Sequence, residues 1–266
     1  MTSGARLGSV VWAALGSSAA TAAARRLTDV DQQRHRRWLR HNHAGRPVSL
    51  LEGVWCVCGT AVGLAPVDPV GAGTALGAGL TGAYDDLHPD AARKGLMGHL
   101  GALTRGQLSP GALKIVGLLG TGVLGAVVDG RRTLFDVGLD ASVVAATANM
   151  INLLDLRPGR ALKVVLAAGV PLMCGVRGRA AGACVGAAVV LIRADLAGTT
   201  MLGDTGANCL GALLGRSAAS GSRIRRTALL SALAAGTLVS ERVSFSAVIE
   251  ADPRLRALDQ WGRAAS

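Results

Sequence analysis

Three short stretches carry residues whose types and spacing could do chemistry. Asp85 and Asp86 close an apolar run after Gly82, Ala83 and Tyr84. Adjacent carboxylates at the end of an apolar segment repel each other unless a cation or a shared proton is present. Asn149, Asn152 and Asp155 end a second apolar run at i, i+3 and i+6, which puts two amides and a carboxylate on one side of a helix. Leu202, Gly203, Asp204, Thr205, Gly206, Ala207 and Asn208 open a third, with glycines that let backbone approach a ligand closely. Taken singly, these are a hydrated helix end, a helix-packing network and a glycine-rich turn. Brought to one membrane face, they are a set of hard oxygen ligands, and with phosphate completing the shell such a set suits magnesium.

The elements that must position them are apolar. Half of the 266 residues are hydrophobic, 17% are charged, and mean hydropathy is +0.40. Aromatics make up only 3% while glycines number 37, so the apolar mass is Ala, Val and Leu, suited to close helix packing through small residues. The reading is all-α: a polytopic transmembrane bundle of about nine helices near 7–24, 48–66, 69–84, 111–128, 137–154, 161–176, 180–196, 201–216 and 227–240. Residues 1–240 form one integral domain and 241–266 a cytoplasmic tail. The first segment is read as a span rather than a signal peptide, since only Arg6 supplies a charged leading region.

Charge sets the orientation. With the N-terminus outside and the C-terminus cytoplasmic, most of the 28 Lys and Arg residues fall inside, and the acidic stretches share that cytoplasmic face. Arg223, Arg225 and Arg226 fall on the outer side of this topology and stand against it. The net charge of +11 does not imply nucleic acid, because the basic residues sit between apolar runs and are not interleaved with aromatics on one stripe. The basic stretch 34–40 reads as a leaflet anchor, His88 as structural or solvated, and the five cysteines as small buried hydrophobes.

The order acidic pair, Asn-x-x-Asn-x-x-Asp, Gly-Asp-Thr-Gly resembles the polyprenyl-phosphate N-acetylhexosamine-1-phosphate transferases, a family that includes the phospho-N-acetylmuramoyl-pentapeptide transferase of peptidoglycan synthesis. Lys94 to Leu103, with His99, and then Lys114 are similar to the cytoplasmic loop and following helix of its smaller bacterial members, and the likeness spans roughly residues 45 to 215. The resemblance implies a multi-pass protein of a bacterial plasma membrane that takes sugar-1-phosphate from a UDP-N-acetylhexosamine, passes it to polyprenyl phosphate and releases UMP in cell-wall biogenesis. It implies Mg2+, with Mn2+ as the alternative, and admits a homodimer. It assigns catalysis to Asp85, Asp86 and Asp204, metal to Asp204 and Asp86, and substrate binding to Asn149, Asn152, Asp155, Lys94, His99, Lys114, Gly203, Thr205 and Gly206.

Two departures stand against that likeness. The family continues past Asp155 as Asp-Gly-x-Asp-Gly, whereas this chain reads Asp155, Leu156, Arg157, Pro158, Gly159, so proline stands where a second carboxylate is expected. The family's His-rich loop is absent, and residues 240–246 follow the last apolar run instead. The alternatives are a catalytically silent relative that binds polyprenyl phosphate or an envelope partner, and a small-solute transporter, which would carry its ionisable residues near mid-membrane.

Overall fold

The computed structural model describes residues 3–28, 36–42, 45–88 and 110–263, and within them the chain is all-α apart from one short hairpin. The elements are α1 (Ser3–Thr28), β1 (Leu39–His41), β2 (Pro47–Ser49), α2 (Leu51–Leu64), α3 (Pro69–Leu87), α4 (Pro110–Val128) and α5 (Leu134–Leu154). Then come α6 (Arg160–Leu172), α7 (Gly178–Leu196), α8 (Gly203–Ala218) and α9 (Arg223–Ser240), followed by two short helices, α10 (Phe245–Ala251) and α11 (Pro253–Gln260). Every apolar segment read from the sequence is a helix, with ends shifted by a few residues.

Among the described residues, α1, α4 over Gly111–Val128, and α5 are long and apolar enough to cross a membrane. The pair α9 and α10, bent by 90°, makes a fourth if it counts as one span. Leu7, Leu15, Leu80, Leu124 and Val128 are each more than half exposed, an apolar outer surface that fits lipid better than water. The chain is therefore a helical protein with membrane-like helices. α2, α6 and α8, at 14, 13 and 16 residues, are shorter than a bilayer span.

Side-chain caps fix where several helices begin. Asp68 accepts the Gly71 N–H at 3.0 Å ahead of Pro69, and Thr133 accepts the Asp136 N–H at 3.1 Å. Asp252 accepts from Arg254 and Leu255 at 2.8 and 2.9 Å. α8 is the hub, buried from Thr205 to Ser217 and touched by α2, α3, α4, α5, α6 and α7. Glycine makes this density reachable: a Cβ on Gly211 would stand 2.5 Å from the Ala148 Cα, and one on Gly82 would overlap the Asp204 carbonyl. The core side chains are Leu64, Leu162, Leu191, Leu202, Leu210 and Leu213 among many alanines, as an aromatic-poor composition requires. Cys56, Cys184 and Cys209 join that core; Cys58 and Cys174 do not, and are exposed on the far side of α2 and just past the end of α6.

The end of the bundle where α3, α5 and α9 begin is locked by ion pairs. Arg216 reaches Asp68 at 2.6 and 3.1 Å and Asp129 at 2.9 Å, while Arg177 meets Asp129 at 3.1 Å and Asp140 at 3.7 Å. Arg131 reaches Asp140 at 2.7 Å, and Arg226 joins Asp140 to Asp136, the latter at 2.7 Å. Arg223 holds Asp136 at 2.6 and 2.9 Å. Arg223 and Arg226, anomalous when read by charge alone, are thus structural cations with matched anions.

The C-terminal segment is docked on the bundle. Arg160 holds Asp259 at 2.8 and 3.1 Å, Lys163 donates to the carbonyls of Leu258 and Asp259 at 3.0 and 2.8 Å, and Arg263 donates to the Pro158 carbonyl at 2.9 Å.

Candidate functional site

At the other end of the bundle, the first turn of α8 collects carboxylates from two neighbouring helices. Asp86, in the last turn of α3, accepts the N–H of Asp204 at 3.1 Å, the N–H of Thr205 at 2.9 Å and the Thr205 hydroxyl at 2.6 Å. Asp155, just past α5, accepts the Gly203 N–H at 2.9 Å. Leu202 precedes α8 and offers no side-chain acceptor, so these carboxylates serve as its caps and complement the positive end of its dipole. Gly203 sits at φ +60°, which any side chain would resist, and a Cβ there would stand 2.9 Å from an Asp86 oxygen.

The remaining acids face a cation. Lys114, one turn into α4, forms an ion pair with Asp204 and stands 3.6 Å from Asp85. Asp85, Asn152 and Asp204 lie near one another. The side chains of Lys114, Asp85 and Asp204 are 12%, 20% and 22% exposed, so a ligand can reach this group, whereas Asp155 is buried.

The structure therefore brings together Asp85, Asp86, Asn152, Asp155, Asp204, Lys114, Gly203, Thr205 and Gly206. It separates Asn149, whose amide donates to the Thr237 hydroxyl on α9 at 3.2 Å. The reason is rotation: six residues on a 3.6-residue helix leave Asn149 and Asp155 about 120° apart, so the first amide joins helix packing and the last acid joins α8. Asp86, assigned by the resemblance to metal, has both oxygens turned to the α8 backbone. Lys94, His99 and the stretch 94–103 lie outside the described residues. His88 stacks on Tyr84 at 4.4 Å and bonds its carbonyl at 2.9 Å, a local contact. Among the described residues no three His, Cys, Asp or Glu side chains form a group that could hold a metal ion.

Three residues at this end escaped the sequence reading. Arg40, read as part of a leaflet anchor, sits on β1 and donates to the Asp86 carbonyl. The β1–β2 hairpin carries it there, pinned to the segment before α8 by Met201 N–H to Ser49 carbonyl at 3.0 Å. Glu52 is fully buried in α2 and accepts the Thr200 hydroxyl; Asp195 is 1% exposed near the end of α7. Both were legible as charged residues inside apolar runs. Beside them a cavity of about 330 Å³ opens, lined by His41, Asn42, Asp155, Pro158, Asp195 and Thr200, among others.

Comparison with protein-family models, with curated proteins and with solved structures found no match to this chain.

Proposed function

We propose that the chain is a polyprenyl-phosphate sugar-1-phosphate transferase whose centre is the Asp85, Lys114 and Asp204 group at the head of α8. The observation that carries this reading is the convergence of Asp85, Asp86, Asp155 and Asp204, drawn from three separate parts of the sequence, around one glycine-flanked helix start with a reachable lysine. In the reaction an oxygen of the lipid phosphate forms a bond to the β-phosphorus of a UDP-sugar, while the bond from that phosphorus to the bridging oxygen breaks and UMP leaves with the oxygen.

Such a reaction asks for positioning and for positive charge at the phosphoryl oxygens. Lys114 presents an ammonium beside two carboxylates, from which it would turn to an incoming diphosphate. Asp86 and Asp155 fix the α8 start, Gly82 and Gly203 bring backbone close, and Asn152 steadies Asp204. Asp204 and Asp85 would hold magnesium, since two hard carboxylates suffice where phosphate and water complete the shell, and the ion when bound supplies charge neutralisation at the phosphoryl oxygens. The same pair admits manganese. Asp86 does not fit that duty, its oxygens being spent on α8.

We read α1 to α9 as nine crossings of a bacterial plasma membrane, with the acidic end cytoplasmic and the N-terminus outside. Support comes from direction: α3, α5 and α7 end at the acidic face, while α2, α4, α6 and α8 begin there. Short helices are tolerated because neighbours enclose them.

The test is UMP release by purified protein in detergent with polyprenyl phosphate, UDP-N-acetylglucosamine and magnesium. Release that needs the lipid and falls at least about 100-fold in Asp204→Asn is the expected result. Polyprenyl-phosphate binding without release from any UDP-sugar would instead favour the silent relative, a reading that draws on Lys114 standing between the two acids and on Pro158.

A further inference from the structure

We infer that Asp195 is a ligand-binding carboxylate, which accepts hydrogen bonds from the phosphate-free part of the ligand in the cavity beside the Asp85, Lys114 and Asp204 group. The choice of a sugar nucleotide as that ligand rests on the function proposed above; the binding role of Asp195 does not.

The other acids at this end are engaged. Asp86 makes three hydrogen bonds to α8, Asp155 holds Gly203, and Asp85 and Asp204 face Lys114. Asp195 differs. The Gly159 backbone N–H lies near its carboxylate, yet Oδ2 has no partner although the residue is 1% exposed. A buried acceptor without a donor is unfavourable, and one that lines a cavity of about 330 Å³ is relieved when a ligand supplies the N–H or O–H.

The surroundings select the class of group. Pro158, on the wall of the same cavity, has no polar side chain. Thr200 spends its hydroxyl on Glu52, whose Oε1 is also buried without a partner. Arg157 lines the cavity too, with its guanidinium engaged by Glu250 at 3.2 Å. Glu52, Asp155 and Asp195 lie close to one another, with Lys163 and Arg263 also near Asp195, and the unpartnered Asp195 oxygen calls for a donor, which a heterocyclic base or a sugar supplies and a phosphate dianion does not. The diphosphate then falls to Lys114, and Asp195 supplies from α7 a carboxylate that the turn at Pro158 lacks.

The experiment measures equilibrium binding of uridine, N-acetylglucosamine and pyrophosphate as separate probes to wild type, Asp195→Asn and Asp195→Ala. Asparagine keeps an acceptor for Gly159 and turns a donor toward the cavity; alanine removes the acceptor without adding a donor. Affinity for uridine or for N-acetylglucosamine is expected to weaken roughly 10- to 100-fold in both variants, with pyrophosphate binding and Tm unchanged. Which of the two weakens tells base from sugar. Unchanged affinity for both, equal loss across all three probes, or no binding of either donor-bearing probe to wild type would overturn the inference. Where UMP release is measurable, KM for UDP-N-acetylglucosamine should rise with kcat held. Loss of uridine or sugar binding in a protein that releases no UMP would retain Asp195 and discard the transferase.

Discussion

The two ends of this bundle use aspartate in opposite ways. At the end where α3, α5 and α9 begin, Asp68, Asp129, Asp136 and Asp140 are matched by Arg131, Arg177, Arg216, Arg223 and Arg226, and guanidinium forks fill the space between them. At the end where α8 begins, Asp85 and Asp204 face Lys114, Asp86 and Asp155 cap α8, and Glu52 and Asp195 are buried, with Arg40 donating only to backbone carbonyls. A charge-matched lattice of rigid pairs holds helices in place. A cluster with more acid than base stores unfavourable repulsion that a cationic or donor-bearing ligand relieves, which is the signature of a binding site.

The contrast is broken most forcefully at Asp140. Asp140→Ala would leave Arg131, Arg177 and Arg226 without their shared anion in a buried setting, and should cost about 3–5 kcal/mol of stability, read as a fall in unfolding midpoint in detergent. A loss under about 1 kcal/mol would mean that the lattice is hydrated rather than structural. Next comes Lys114→Ala, which should lower UMP release at least about 100-fold, near 2.7 kcal/mol of transition-state stabilisation, with a smaller fall in the midpoint than Asp140→Ala. A variant with wild-type turnover would take Lys114 out of the reaction.

Asp86→Ala sharpens the comparison, since it is an acid of the functional end that does a structural task. Removing its three hydrogen bonds should cost about 1–2 kcal/mol of stability, a cap-sized loss visible in thermal melts even without substrate. The smallest effect belongs to the docked C-terminal segment. Burial alone would raise the Asp259 carboxyl, but hydrogen bonds and charge from Arg160, joined by Arg263, more than offset it and hold it below the usual carboxylate range. A depressed folded value means that docking is fully supported above the ordinary carboxylate value of about 4 and is lost as pH falls through the lower folded value. Hydrogen exchange over residues 245–260, referenced to the free peptide, should therefore rise only on acidification, and rise at neutral pH in Asp259→Asn.

Much of this arrangement was legible in the sequence because hydropathy and glycine reported it directly. The apolar runs became helices, and the Gly-flanked Asp204 became a helix start beside Asp86 and Asp155. Lys114, singled out only through a family likeness, stands against Asp204. What was not legible depended on rotation and on long-range closure. Asn149 looked equivalent to Asn152 by spacing, yet the third of a turn between it and Asp155 sends it to Thr237. Arg40 looked like surface charge because nothing local announces a hairpin that returns it to Asp86. The ion-pair lattice was hidden for the same reason: Asp68 and Arg216 are far apart in the chain, and each alone reads as a helix end.

The way α8 begins bears on how the protein is made. Its first turn has no acceptor of its own and is closed by Asp86 and Asp155, carried on α3 and α5. During synthesis both acids emerge long before residue 203, so the helix that completes the centre arrives into a receptacle already built. Until it docks, its leading amides and the acids that await them lack their hydrogen bonds, so each needs the other in order to be buried. An incomplete nascent chain thus leaves the acidic end open, and the start of α8 and the acids that cap it come to rest in a single event.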